Sequence, residues 1–308
     1  MRTWVGMATL ALAASVAHSA SYEASVTYDD AGHDLSGFNA DQTSSNSATV
    51  GSTSTPVTAS GGSGAPSGYA YAASAEDALK SYASAGGGGM YSAESSASVT
   101  AQGLMFSGAD SNVTSALNVQ LDGHLDADTF SGSYGSPSNS ASVSITYMIY
   151  AQGGNTPLAQ GTGAYTVTVA DADEDGTGTA SGDFQIPGTY YDLGGPFGKE
   201  AFAGFGVQVT TNPFTVPTGV PLTLVMQLST SADLVGSATL TADFADTLQF
   251  ASSDVFENVN GEAGFNASCP DAGIQNNSVA ITPEPCIAGG ALGSLVLWRT
   301  LRRRRDEI

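Results

Sequence analysis

Asp171, Asp173 and Asp175 have the types and spacing best suited to chemistry, in the run Asp171-Ala172-Asp173-Glu174-Asp175-Gly176. Carboxylates at alternate positions followed by a glycine open a calcium loop, because a hard cation takes hard oxygens and the chain must turn sharply. The closing bidentate glutamate is missing: the twelfth position is Gly182, with only Asp183 beside it. Tyr165 to Val169 and Thr177 to Ala180 read as strands, not the helices of an EF-hand. Two readings stand, a calcium-binding hairpin loop and an acidic solvated turn. Asp122, Asp126 and Asp128 form a looser second acidic group.

Other chemistries find little support. Beyond the first 20 residues the histidines are His33 and His124, which read as surface residues in polar turns. No His-Glu-x-x-His or Cys-x-x-Cys is present to hold zinc. Gly-x-Ser-x-Gly elbows and nucleotide loops are absent as well. A carboxylate pair for glycoside hydrolysis, such as Asp126 and Asp128, is compatible with so acidic a chain. The tryptophans, however, are Trp4 and Trp298, both in terminal segments. Tyr69, Tyr71, Tyr82, Tyr91, Tyr190 and Tyr191 are left to stack on sugars. The body is therefore expected to be non-enzymatic, with calcium the only cofactor the sequence suggests.

The formal net charge is -21, and the basic residues are unevenly placed. Apart from Arg2 and the C-terminal arginines, only Lys80 and Lys199 remain. Such a surface repels nucleic acid, which is excluded as a partner, and keeps the body soluble. Cys269 and Cys286 are too few for a disulfide framework, although a single bridge between them is conceivable.

The elements that must carry these residues read as strands. Leu222, Leu224, Met226 and Leu228 alternate with Thr223, Val225 and Gln227. Val143, Ile145, Tyr147 and Ile149 alternate with Ser and Thr, and Tyr165, Val167 and Val169 with threonines. Gly and Ser clusters punctuate them, and Pro213, Pro217 and Pro221 mark turns and strand edges. The expectation is an all-β body, an antiparallel sandwich or jelly roll. Residues 41–68 and 84–90, with Gly86 to Gly89, read as loops, 76–81 as one helical turn and 251–282 as a polar linker. Ser96 to Ala101 and Ser237 to Ala242 echo one another, and each leads into an apolar strand.

The two ends read as addresses. Arg2, the apolar stretch Trp4 to Val16 and the small residues Ala17, Ser19 and Ala20 have the layout of a secretory signal peptide over 1–20. At the other end stand Pro283, Glu284 and Pro285, an apolar run from Cys286 to Trp298, and Arg302, Arg303, Arg304 and Arg305. With Leu301 the run reaches about sixteen residues, just short of an ordinary span. Arg299 snorkels and the arginine cluster holds the cytoplasmic side. A single C-terminal transmembrane helix is expected.

That order of Pro-Glu-Pro, short helix and arginine cluster resembles the PEP-CTERM sorting domain of Gram-negative bacteria. Cys286 directly after the motif and the acidic Asp306-Glu307 depart from the family pattern. The resemblance implies recognition and processing by an exosortase, a membrane-embedded cysteine protease, after Sec export. It also implies an association with exopolysaccharide or biofilm. The prolines suit that role, since they hold the chain extended where a protease needs open backbone. The expected organisation is a signal peptide over 1–20, an exported body over 21–250, a linker over 251–282 and a sorting signal over 283–308. An inner-membrane-anchored intermediate would end at the cell surface or outside. The alternative is a calcium-dependent, lectin-like surface protein.

Overall fold

The computed structural model describes residues 20–29, 41–50, 57–62, 68–74, 78–130, 139–169, 176–192 and 198–279. Its first strands are β1 (Ala20–Asp29), β2 (Asp41–Val50), β3 (Val57–Gly62) and β4 (Gly68–Ser74), followed by the long β5 (Leu79–Ser107). Then come β6 (Asn112–Phe130), β7 (Asn139–Ala151), β8 (Pro157–Val169), β9 (Thr177–Gly182), β10 (Thr189–Asp192), β11 (Gly198–Thr210) and β12 (Phe214–Pro217). The second long strand, β13 (Leu222–Phe250), is followed by β14 (Phe256–Asn258), β15 (Asn266–Ser268), a 3-10 turn (Pro270–Ala272), β16 (Ile274–Gln275) and β17 (Ser278–Val279). All pairings are antiparallel.

β5 and β13, each of 29 residues, pair along almost their whole length, from Leu222↔Leu104 to Leu248↔Leu79. The ribbon they form is not straight. Ser81 donates its hydroxyl to the carbonyl of Ser95 at 3.1 Å, whereas fourteen residues of straight strand would span about 46 Å. The ribbon folds back on itself, and the stretch between the facing arms is Gly86 to Gly89, paired with Thr239, Ala238, Ser237 and Gly236. Strands that pass from one sheet to another in this way make the corners of packed sheets.

Each arm of the ribbon seeds one leaf of a sandwich-like body. In the first, the order is β9-β8-β7-β13-β5-β1-β2; in the second it is β10-β11-β6-β13-β5-β4-β3. β12 and β14 extend the second leaf along Asn112 to Leu117 of β6, and β15 pairs with the end of β5.

The leaves meet through alternating side chains. Along β7 every second residue from Asn139 to Ile149 is buried, and along β13 Leu222, Leu224, Met226 and Leu228 are buried, as their periodicity requires. Aromatic rings bridge the leaves: Tyr165 of β8 meets Phe205 of β11 edge-on at 5.2 Å, and Phe205 meets Phe244 of its own leaf at 5.3 Å. Between the ribbon arms the filling is small, with Ala83, Ala85, Ala93, Ala97, Ala232 and Ala242 all buried.

Several sequence expectations change. The glycine run over 84–90 lies inside β5, and residues 41–68 contain β2 and β3, so these stretches are not simply loops. Leu79 to Ser81, expected in a helical turn, open β5 as strand. Residues 251–279 are no linker: Val255, Phe256, Ala267, Cys269 and Ile274 are buried, and Phe256 packs edge-on against Phe106 at 4.9 Å. The echoing segments 96–101 and 237–242 fall on the two partners of the long ribbon. The signal peptide over 1–20 lies outside the described residues up to residue 19, and Ala20 begins β1. Residues 286–298 lie outside them too. No helix among the described residues is long and apolar enough to cross a membrane.

A tight seam lies where β6 passes the irregularity of β13 between Asp243 and Thr247. A Cβ on Gly123, at φ +156°, would lie 2.4 Å from the Asp243 carbonyl oxygen and 2.5 Å from the Phe244 ring. Gly123→Ala should therefore cost about 2 kcal/mol or more. Gly206→Ala, whose nearest added contact is 3.6 Å, should stay within about 0.5 kcal/mol of wild type. Urea unfolding of the two variants measures the difference, and equal stabilities would contradict this packing.

Candidate functional site

β6 sets out the second leaf's outer face. Leu121, Leu125 and Ala127 point into the core, so Asp122, His124, Asp126 and Asp128 share the opposite side at every second position. Successive members of the row are about 6.7 Å apart along the strand. Among the described residues no cluster of His, Cys, Asp or Glu has metal-binding geometry. The acidic group seen in the sequence is thus a row on one strand. Asp243 of β13 joins it, directly opposite His124.

His124 sits in mid-strand and not in a turn. Its ring stacks on Phe202 of β11 with centroids 5.5 Å apart and planes 23° apart. Phe202 in turn meets Tyr191 of β10 at 6.2 Å, and Tyr191 is 50% exposed. The arrangement depends on Gly204, since a Cβ there would come within 3.3 Å of the Phe202 ring. With no side chain at Gly206, the outer face of β11 is bare there, beside a strip of aromatic rings.

The first leaf's outer face differs. Glu94 and Ser96 of β5, Gln227, Ser229 and Ser231 of β13, and Ser142 and Ser144 of β7 line a shallow trough of about 340 Å³. Its hydroxyls are linked: Gln227 donates to Ser96 at 2.7 Å, and Ser142 and Ser231 share a hydrogen bond of 2.9 Å. Hydroxyls of this kind donate and accept with equal ease.

The other expected sites are distributed as follows. Asp171, Asp173 and Asp175 lie outside the described residues, in the connection between β8 and β9, whose ends pair at Thr168↔Thr177. The flanks are the strands the sequence predicts. Asp183 lies beyond the far end of β9 and accepts a hydrogen bond from the Thr162 amide at 2.9 Å. Six residues of strand, about 20 Å, separate it from the loop, so it cannot close a calcium site there. Pro283, Glu284, Pro285, Arg302, Arg303, Arg304, Arg305, His33 and Cys286 also lie outside the described residues. Tyr190 packs against the core, while Tyr191 faces out.

Cys269 is a buried free thiol. Burial pushes its pKa from 9.0 up to about 12, with hydrogen bonds from the backbone of Ala272 working in the opposite direction. Burial likewise raises Tyr147, partly offset by its hydrogen bond with Thr211. Both are features of the core and not of a reactive centre.

No family model matches the chain, and comparison with curated proteins and with solved structures gives no match either.

The Cys269 shift carries a sign. A thiol whose folded pKa is raised contributes stability that is fully present below about 9 and is lost as pH rises through about 12. Denaturant midpoints taken across that window should fall more steeply for wild type than for Cys269→Ala. Parallel profiles would mean that the thiol is not buried as described.

Proposed function

We propose that the chain is a non-enzymatic exported envelope or extracellular-matrix protein. Its terminal segments direct it through Sec export to an exosortase-type membrane protease, and its body, a β-sandwich, associates with exopolysaccharide. The observation that carries this reading is the order of Pro283-Glu284-Pro285, apolar run and Arg302 to Arg305, behind a signal-peptide-like start. The body adds to it. A protein that lives among hydrated polymers gains from outer faces that hydrogen-bond in both directions, as the trough of Ser96, Ser144 and Ser229 can.

Export through this route implies an intermediate held in the inner membrane by residues 286–298, then release to the cell surface or medium. The two prolines keep the segment ahead of that anchor from continuing as helix. Mass spectrometry of the intact protein from membrane and medium fractions tests the sorting step. Wild type should yield a species ending near residues 282–286, and the Pro283→Ala, Pro285→Ala double variant an uncut membrane form. A C-terminus at Ile308 in both proteins would make the tail a plain anchor.

The second reading, a calcium-dependent glycan binder, is favoured by the hairpin position of the 171–176 connection. It requires calcium to raise the melting temperature and EDTA to abolish glycan retention. With Asp183 committed to Thr162, we expect neither: melting in calcium and in EDTA should coincide. A calcium-dependent rise of several degrees, the size produced by about 1 kcal/mol, would favour the second reading.

A further inference from the structure

We infer that the outer face of the second leaf is a binding surface for a polysaccharide carrying free amino groups. This rests on the polysaccharide association proposed above but not on the sorting step. The core of the site is the contiguous ring strip Tyr191–Phe202–His124, with centroid separations of 6.2 Å and 5.5 Å. Partly exposed rings on the outside of a sheet offer apolar surface to pyranose rings, and the strip spans three neighbouring strands. Exposed backbone at Gly206 leaves room for a chain to lie on β11 beside these rings.

Charge then selects the polymer. Asp122, Asp126 and Asp128 stand in a row on the neighbouring strand, on the same outer face as the rings. The chain as a whole carries a formal charge of -21. A polyuronate would be repelled at long range and again at contact, and a neutral glycan would gain only the stacking. A protonated amino sugar gains stacking, an ion pair with a nearby carboxylate, and attraction to the whole body before it arrives. The spacing helps: Asp126 and Asp128, about 6.7 Å apart along the strand, and Asp122 farther along it meet a repeating polymer at more than one residue.

The surface is distinct from the hydroxyl trough of the first leaf, which has a single carboxylate, Glu94, at its edge.

The test uses the purified chain and two hexamers with one backbone, glucosamine and N-acetylglucosamine, with a polyuronate as the anionic control. Calorimetry at a pH where the free amines are protonated should show the glucosamine hexamer binding at least about tenfold tighter than its acetylated form, and salt should weaken it. Phe202→Ala should weaken binding about tenfold. Asp128→Asn should lower the preference for the amine without abolishing stacking. Melting curves identify any variant that fails to fold, and Tyr191→Ala, at a half-exposed position, replaces Phe202→Ala if that variant does. Equal binding of the two hexamers, or an Asp128→Asn variant that keeps the full preference, overturns the inference and leaves the polysaccharide reading intact. Binding of no glycan at all overturns both.

Discussion

The continuous pairing of β5 with β13, folded back on itself, is the constraint on which the rest of the body depends. Every other strand in either leaf attaches to this ribbon directly or through a succession of paired strands. Its partners lie more than a hundred residues apart in sequence, so the loop closed before the first contact forms is large and its entropy must be met by many pairs at once. Such a topology folds slowly, because non-local contacts dominate it. It also explains why alanine recurs in the inner filling of the ribbon: the two arms lie close enough for Ser81 of one to reach Ser95 and Thr230 of the other. Larger side chains would push the arms apart and cost those bonds.

What was legible in the sequence was legible because it is periodic. Leu222 to Leu228, Val143 to Ile149 and Tyr165 to Val169 each bury one side of a strand, and alternation reports that directly. The glycine run was not legible. Composition says loop for Gly86 to Gly89, whereas pairing with β13 holds the run as strand and its missing side chains suit the return of the ribbon. Residues 251–279 escaped for the opposite reason. Val255, Phe256 and Ile274 are buried singly among polar residues, with no period to show that they belong to the core.

The second leaf's outer face was half legible. Asp122, Asp126 and Asp128 stand out as acids, but Gly123 beside His124 reads as a turn. Leu121, Leu125 and Ala127 at the odd positions carry the strand signal that would have placed the row on one face. Nothing local to β6 announces Phe202 or Tyr191. They arrive through the pairing of β11 with β6 and of β10 with β11, a long-range fact with no sequence signature. The hydroxyl trough was hidden similarly, since serine is common along the whole chain and only cross-strand register gathers Ser96, Ser229 and Ser144.

Register on the ribbon therefore decides both outer faces together. A slip of one residue between β5 and β13 would turn alanines outward and serines inward in both leaves at once, which burial forbids. A slip of two is harder to exclude, because every side chain would keep its own face of the sheet. The hydroxyls of Ser81, Ser95 and Thr230 discriminate here. They are buried and mutually bonded in the native register, and a two-residue slip would strand Thr230 opposite a residue that cannot bond it. An unsatisfied buried hydroxyl costs about 1–3 kcal/mol, a large share of a small domain's stability. These few buried polar atoms thus help to fix where β7 and β6 can attach, and through them where the trough and the aromatic strip are assembled.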